Sequence, residues 1–453
     1  MQHSIIQKSQ LEGAKRIDAE YFQLEYLNLI SDIKVFKYRS LKEAGCKVVS
    51  GPFGSSLKSD AYLSAGIPFI RINDLGNFFT KDGDLIYISN GDNDRLKQSQ
   101  LFPYDIVLSK VGNTIGVASA VPEEFAVCNI SENNIGIKFS KDFSLKYKLF
   151  ILTYLNSQIG LKQVLRSISG NAQPKINIHD IENIIFPIPS NSILESNFNL
   201  INTAKQSVIR SEVFYQQAED LLLKELGLKD FQVEDDLSYI VNFSDVSEAN
   251  RIDAEYFQPK YEKLIDQLQS QSAKPFMKVV ENIAARFNPK PDESYKYVDL
   301  GNINSSNGII DGSEEVLGKE APSRAKRILK ENDVIVSSVE GSLNKVALVA
   351  GSQNGYIASN GFFQFRSEEV LPEVLLMLTK SIVMQWQMKK HCVGTILTAV
   401  PSEALNKMTI PVLPMEKQQE IAELVRKSHE ARKKSKELLE EAKRKVEEMI
   451  EKD

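Results

Sequence analysis

Three strings in this sequence approach catalytic motifs, and each falls short at a residue the chemistry requires. Asn288-Pro289-Lys290-Pro291 places a lysine where an Asn-Pro-Pro-aromatic methyltransferase site needs its second proline, and no Gly-rich cofactor loop accompanies it. Pro291-Asp292 begins like a divalent-ion nuclease site, but no acidic-x-Lys triplet follows before residue 340 to complete the ligand set. The Gly-rich stretch at 51–54 lacks the Gly-Lys-Ser/Thr ending that cradles phosphates. Cys46, Cys128 and Cys392 are widely separated, and His3, His179, His391 and His429 stand in no ligand spacing, so the cysteines read as buried thiols. The chain is therefore expected to be non-catalytic, with no metal and no cofactor. What remains are polar and basic residues on Gly- and Asn-punctuated loops, types suited to recognition.

The elements that position those loops are duplicated. Arg16-Ile17-Asp18-Ala19-Glu20-Tyr21-Phe22-Gln23 returns unchanged at Arg251-Ile252-Asp253-Ala254-Glu255-Tyr256-Phe257-Gln258. Asp105-Ile106-Val107-Leu108-Ser109 matches Asp333-Val334-Ile335-Val336-Ser337, and Pro187-Ile188 matches Pro411-Val412. The separation shrinks from 235 residues at Arg16 and Arg251 to 224 at Pro187 and Pro411, so the first copy carries extra loop residues on the same frame. Each copy is expected to open with a short helix that puts Arg16 and Glu20, or Arg251 and Glu255, on one face. A strand-rich body follows, with strands at 67–75 and 105–108 and counterparts at 295–300 and 333–336, and helices around 144–168 and 370–392.

Each copy closes on a heptad-spaced helix. Ile201, Ala204, Val208, Ser211, Tyr215, Ala218 and Leu222 form one narrow seam; Ile421, Leu424, Ser428, Ala431, Ser435, Leu438, Ala442 and Met449 form the other. At ~1.5 Å per residue, 191–226 and 416–452 each span roughly 50–55 Å. Neither buries its stripe alone, so the two are expected to pack antiparallel, between globular bodies. The 453 residues, 42% hydrophobic and 25% charged, suit a globular chain. The sequence has neither an eighteen-residue apolar run nor a signal-like start, so no membrane partner is expected and a cytoplasmic location is. The net charge of −5 is uneven: +2 over 1–190, −6 over 191–245, −1 over 246–414 and zero over 415–453. Acidity sits in the connector, which leaves the two bodies open to nucleic acid without a strong steering field.

The repeated RIDAEYF, Gly51-Pro52-Phe53-Gly54-Ser55-Ser56-Leu57-Lys58 leading to Ile67-Pro68-Phe69-Ile70-Arg71, Tyr104 to Gly112, Ser169-Gly170-Asn171-Ala172-Gln173-Pro174, and Pro411 to Gln419 together resemble the specificity subunit of Type I restriction–modification enzymes. The resemblance covers nearly the whole chain. It departs in copy two, where Glu340-Gly341-Ser342 replaces Gly112-Asn113-Thr114 and Gly394-Thr395-Ile396 replaces Gly170-Asn171-Ala172. It implies an α+β fold: two tandem mixed α/β target-recognition domains, 1–190 and 246–414, with a helical spacer and connector at 191–245 and a spacer helix at 415–453. By the same resemblance, each domain reads one half of a split, asymmetric DNA site; the helices set the unread gap. The partners implied are double-stranded DNA, two modification (methyltransferase) subunits and, through the complex, restriction (nuclease/translocase) subunits.

On that frame the candidate DNA contacts in copy one are Ser55, Ser56, Lys58, Arg71 and Asn73, then Lys110, Asn113 and Thr114 after a strand, then Asn171, Gln173 and Lys175. Lys and Arg neutralise phosphates, whereas Asn, Gln and Arg form paired bonds to base edges. In copy two the candidates are Ser337, Ser338, Ser342, Asn344 and Lys345, with Thr395 and Thr398. The alternative for each is structural: a solvated loop, a strand-end cap or a self-bonded turn. Lys389, Lys390 and His391 form either a phosphate contact or a solvated helix end, and Trp386 and Phe363 read as core. The octapeptides, through Arg16, Glu20, Tyr21, Phe22, Arg251, Glu255, Tyr256 and Phe257, either pack against the base of the spacer or dock two copies of one partner. Two other functions fit the same layout: the recognition subunit of a two-component Type II system, and a coiled-coil scaffold that binds proteins instead of DNA.

Overall fold

The structure, a computed structural model, describes residues 4–9, 11, 16–52, 56–80, 85–170, 174–233, 238–271, 273–394 and 398–451. It divides into two compact units, Met1–Gln206 with Lys434–Asp453, and Ser207–Lys433.

In the first unit α1 (Leu24–Val35) precedes a five-stranded sheet ordered Lys47–Ser50, Asn134–Lys138, Ile106–Ser109, Ala118–Ala120, Phe78–Phe79. Pairings are antiparallel except the last, which is parallel. Ile106–Ser109 is buried at every position, as an apolar run without alternation requires of a central strand covered on both faces. Helices α2 (Leu145–Asn156) and α3 (Gln158–Arg166) supply much of the main core, with Phe150, Tyr154 and Ile159 packed beside Ile106, Leu108 and Ile135. The Ser144 and Ser157 hydroxyls accept the Tyr147 and Gly160 N–H groups and so start the two helices. A β-carbon at Gly160 would lie 1.9 Å from the Tyr154 carbonyl oxygen, so the tight corner between the helices excludes any side chain there. A three-stranded sheet of Ile86–Ile88, Ile67–Ile70 and Asn129–Ile130 lies over a small core of Leu57, Phe69, Ile88 and Leu96.

The second unit repeats this plan. Its larger sheet runs Glu281–Asn282, Phe362–Arg366, Val334–Ser337, Val346–Leu348, Ile309–Ile310, Ile303–Asn304, and its smaller one Glu314–Leu317, Ser294–Val298, Ile357–Ser359, Ala325–Ile328. Helices α4 (Pro259–Ser270), α5 (Pro372–Lys380) and α6 (Ile382–Lys390) pack around it. Asp105 and Asp333 sit at the same point of the two copies, each just before the central strand. Asp105 accepts the Phe102 and Phe139 N–H groups at 2.9 and 3.1 Å. Asp333 accepts Lys330 N–H at 2.7 Å and the Gln364 amide at 2.5 Å and pairs with Arg366. Phe363 is core, and Trp386 packs half-buried against the same cluster.

The long helices run Asn191–Glu225 and Met415–Glu451. In the first unit Ile201 shares a core with Ala442, Val446 and Ile450, and Lys445 Nζ donates to Ser196 Oγ at 3.2 Å. Within the second unit the pairing is antiparallel, with Ser211 beside Ser428 and Glu225 3.8 Å from Lys417. The Ser211 and Ser428 hydroxyls are 3.0 Å apart, and Ser428 Oγ donates to the Ser211 carbonyl at 2.8 Å. A polar pair so satisfied costs little to bury, and the small side chains allow close approach. Ile421, Ser428, Ser435 and Ala442 are buried as the heptad predicts, whereas Val208, Leu424, Ala431, Leu438 and Met449 are half-exposed. Ala422, Val425, Val446 and Ile450 take the burial instead. A 3.6-residue turn drifts from a 3.5-residue repeat, so the buried stripe keeps every seventh position and exchanges its companions.

Some local expectations fail. The strands expected at 67–75 and 295–300 end at Ile70 and Val298 and give way to the 3-10 turns Ile72–Asp74 and Leu300–Asn302. The octapeptides form no helix: residues 16–22 and 251–257 are irregular and then turn. Arg16 does not face Glu20; its guanidinium forks onto Asp18 at 2.8 and 2.6 Å, and Arg251 onto Asp253 at 2.7 and 2.8 Å. This two-residue spacing cannot close on a helix surface, where neighbours are three or four apart. The bidentate pair wins over a few tenths of a kcal/mol of helical pairing.

Candidate nucleic-acid interface

In the first unit several chain segments end at one edge of the larger sheet. Register pairs Ser50 with Ile135 and Ser109 with Asn134, so two strands finish where a third begins. Lys110 continues from Ser109; its N–H donates to the Asn133 carbonyl, and its ammonium reaches Ser50 Oγ at 3.1 Å and the Glu132 carbonyl at 3.4 Å. Burial, then the neighbouring Lys175 charge, holds the Lys110 ammonium below the usual lysine value, with Glu132 pulling the other way. Ser169 and Lys175 exchange backbone hydrogen bonds at 2.9 and 3.0 Å, and Ile176 N–H donates to the Lys110 carbonyl. The Ile70 carbonyl receives Ser131 N–H and the Asn134 amide at 2.9 Å, which joins the smaller sheet to the same edge. A β-carbon on Gly51 would stand 1.9 Å from the Ser131 carbonyl oxygen; only glycine permits that crossing.

The second unit builds the same edge from other residues. Ser338 N–H and Oγ both donate to the Gly361 carbonyl at 2.9 Å, in the place of Lys110 and Asn133. Val393 and Ala399 exchange backbone bonds as Ser169 and Lys175 do, Val400 N–H donates to the Ser338 carbonyl, and Glu340 N–H to that of Thr398. Asn360 N–H donates to the Arg324 carbonyl, which brings an exposed arginine alongside. Both turns after the central strand close with a hydroxyl pair five residues apart: Ser109 to Thr114 at 3.0 Å and Ser337 to Ser342 at 2.9 Å.

The structure therefore gathers Lys110, Thr114 and Lys175 in the first unit and Ser338, Ser342 and Thr398 in the second. Others are placed differently. Ser337 is fully buried, its hydroxyl committed to Ser342 and to Val339 N–H, so it serves the turn and presents no polar atom to a ligand. Arg71 caps the turn Ile72–Asp74, with its guanidinium on Asp74 at 3.1 Å, while Asn73 is exposed. Ser56 and exposed Lys58 flank Leu57 in the small core. The Lys345 ammonium donates to the Ile303 carbonyl at 3.0 Å, and Asn344 is exposed. Ser55, Asn171, Gln173 and Thr395 lie outside the described residues, as does the Asn113 side chain. Ser50, Asn133, Asn360 and Arg324 join the two edges although no sequence motif singled them out.

The octapeptides lie beside these edges. Arg16 donates to the Ser167 and Ile168 carbonyls at 3.0 and 2.9 Å, and Tyr21 lies between Arg16 and Arg166 at 4.7 and 3.9 Å. Phe22 is buried, whereas Glu20 is exposed and Ile17 is 89% exposed. A cleft of about 810 Å³ opens here, lined by Arg16, Asp18, Tyr26, Arg166, Asn177 and Asp180 among others. In the second unit Arg251 and Lys390 flank Tyr256 at 4.6 and 4.9 Å, His391 meets that ring edge-on at 5.7 Å, and Lys389 pairs with Glu255 at 3.5 Å. Phe257 packs edge-on against Tyr256, and Ile252 is 90% exposed. The basic run Lys389-Lys390-His391 thus contacts the octapeptide through Glu255 and Tyr256.

The family model for the Type I restriction modification DNA specificity domain matches twice, over residues 46–211 and 281–443, and the chain belongs to that family. Among solved structures similar to it is the HsdS subunit from Thermoanaerobacter tengcongensis, 31% identical, with TM-score 0.31 over 33% of this chain and 40% of that one. The Type I restriction-modification system S subunit from M. genitalium is 12% identical, with TM-score 0.39 over 91% and 96% of the two chains. A chain from a study of complex assembly and conformational transition of the type I R-M system is 12% identical, with TM-score 0.29 over 92% and 97%. This chain therefore spans less than half the length of the Thermoanaerobacter tengcongensis subunit. No curated protein matches it. Among the described residues no helix is long and apolar enough to cross a membrane, and no group of His, Cys, Asp and Glu could hold a metal ion. All three cysteines are free and buried, and burial pushes the Cys46 thiol up to about 12 and that of Cys392 to about 11.

Proposed function

We propose that the chain is the DNA-recognition subunit of a Type I restriction–modification complex. Each unit reads one half of a bipartite, asymmetric site, and partner subunits carry out methylation and cleavage. The observation that carries this reading is the pair of sheet edges: one backbone plan, dressed with Lys110, Lys175 and Ser50 in one copy and with Ser338, Thr398, Asn360 and Arg324 in the other. Identical readers would call for a palindrome; a shared frame with different side chains suits two unlike half-sites. Lys110 and Lys175 supply phosphate neutralisation, and the hydroxyl and amide groups nearby supply donors and acceptors for base edges. The exposed Ile17, Glu20 and Ile252 of the octapeptides offer two equivalent surfaces for two modification subunits.

The test is to express the chain with its modification partner and map methylated positions across genomic DNA. A split motif with two defined arms is the expected result. Methylation at an uninterrupted or palindromic motif, or at none, would overturn the reading.

A further inference from the structure

The octapeptide is the longest unchanged string shared by the two copies, yet it lies beside edges whose side chains differ. Its contacts give it a task common to both. Arg16 does not point to solvent: its side chain is 12% exposed, and its fork is held by Asp18. Two of its N–H groups end on the Ser167 and Ile168 carbonyls, which follow α3 and have no helical partner of their own. The next residue, Ser169, pairs with Lys175 in both directions, and Lys175 is bridged to Val111 beside Lys110. On the outgoing side, Arg16 Nη1 lies 3.8 Å from Asp180 Oδ2. One guanidinium thus grips both arms of the stem that carries Lys175. The second unit repeats the device: Arg251, forked onto Asp253, donates to the Lys390 carbonyl at 3.4 Å at the end of α6, and the Val393–Ala399 stem that leads to Thr398 follows three residues later.

We propose that Arg16 and Arg251 are positioning residues, each of which sets the recognition stem of its own unit through the Ser167–Ile168 or Lys390 carbonyls, with the Tyr21 or Tyr256 stack as backing. This rests on the reading of the sheet edges as DNA-reading surfaces. In the first copy Arg16, Tyr21 and Phe22 face the fold, while Ile17, Ala19 and Glu20 face outward; in the second, Ile252 and Ala254 face outward and Glu255 turns inward to accept from Tyr261 and Gln258. A guanidinium is suited to the task because it places several donors in one rigid plane, while lysine offers a single point charge. Because each clamp touches one stem, the consequence of losing it is confined to one half-site.

The experiment uses the full chain assembled with its modification partner. Arg16→Ala, Arg16→Lys, Arg251→Ala and the milder Asp18→Asn are compared with wild type by methylome sequencing, and by the stoichiometry of the purified complex. Arg16→Ala is expected to relax discrimination at the bases of the first half-site by at least about tenfold, the scale of one good base contact of roughly 1–3 kcal/mol, with the second half-site read as before. Arg251→Ala gives the converse, and Arg16→Lys resembles Arg16→Ala. Should Arg16→Ala not fold, Asp18→Asn carries the same half-site prediction. Equal relaxation at both half-sites, or unchanged specificity with partner stoichiometry lost, overturns the proposal. Absence of any split motif in the wild type defeats the DNA-reading function itself, a different outcome.

Discussion

Replacing Lys110 and Lys175 by alanine, singly and together, tests the first unit's edge by its salt dependence. The Lys110 ammonium is held by Ser50 Oγ at 3.1 Å and the Glu132 carbonyl at 3.4 Å, and Lys175 lies exposed beside it. Two adjacent cations amount to two phosphate contacts. Each contact contributes about 0.9 to the slope of log affinity against log salt, so over a fourfold rise from about 50 to about 200 mM each weakens binding by about 3.5-fold. The wild-type complex therefore loses about 3.5-fold more affinity over that range than Lys110→Ala, and about 12-fold more than the double variant. Ser338→Ala, at the equivalent point of the second unit, removes a hydroxyl but no charge and leaves the slope as it was. The assay is fluorescence anisotropy of a labelled duplex carrying the methylated motif, titrated with assembled complex across the salt series. A slope unchanged in the double variant would show that this edge faces no phosphate. A slope lowered by Ser338→Ala would show that charge counting does not describe the surface.

Asp333→Ala is expected to cost about 3–4 kcal/mol, because it strips a buried partner from Arg366 and Gln364. Asp105→Ala, which loses two backbone N–H partners, costs about 1–2 kcal/mol; urea midpoints that fall equally contradict this ranking. Gly51→Ala drives a β-carbon into the Ser131 carbonyl and is expected to destabilise the first unit by about 3 kcal/mol or more, read by thermal unfolding; an unshifted Tm refutes the close crossing. Burial first, then Lys390, Lys407 and Arg251, lowers His391 from the usual 6.5 to about 4. Between those values the unfolded chain binds a proton that the folded one refuses, so stability is fully present above about pH 6.5 and falls by up to about 3 kcal/mol as pH drops to about 4. His391→Asn flattens that part of the curve, and parallel acid losses in both proteins would show that His391 does not titrate there.

The sequence by itself determined whatever is written in local pattern. The duplicated strings announced two bodies on one plan, short β-favouring apolar runs with Gly, Pro and Asn punctuation located the central strands at 106–109 and 334–337, and seven-residue spacing located both long helices. These signals are legible because backbone geometry imposes its period on neighbouring residues. The sheet edge was partly legible: Lys110, Lys175 and Ser338 stood out, whereas Ser50, Asn133, Asn360 and Arg324 did not, since they enter it only through strand register and backbone bonds. The octapeptide misled for the same reason. Arg16 and Glu20 have helical spacing, but the partners that fix Arg16 beyond Asp18 are carbonyls 151 and 152 residues away. Only the tertiary structure brings the end of α3 to that guanidinium, and buried carbonyls that lack partners outweigh a surface pairing of a few tenths of a kcal/mol.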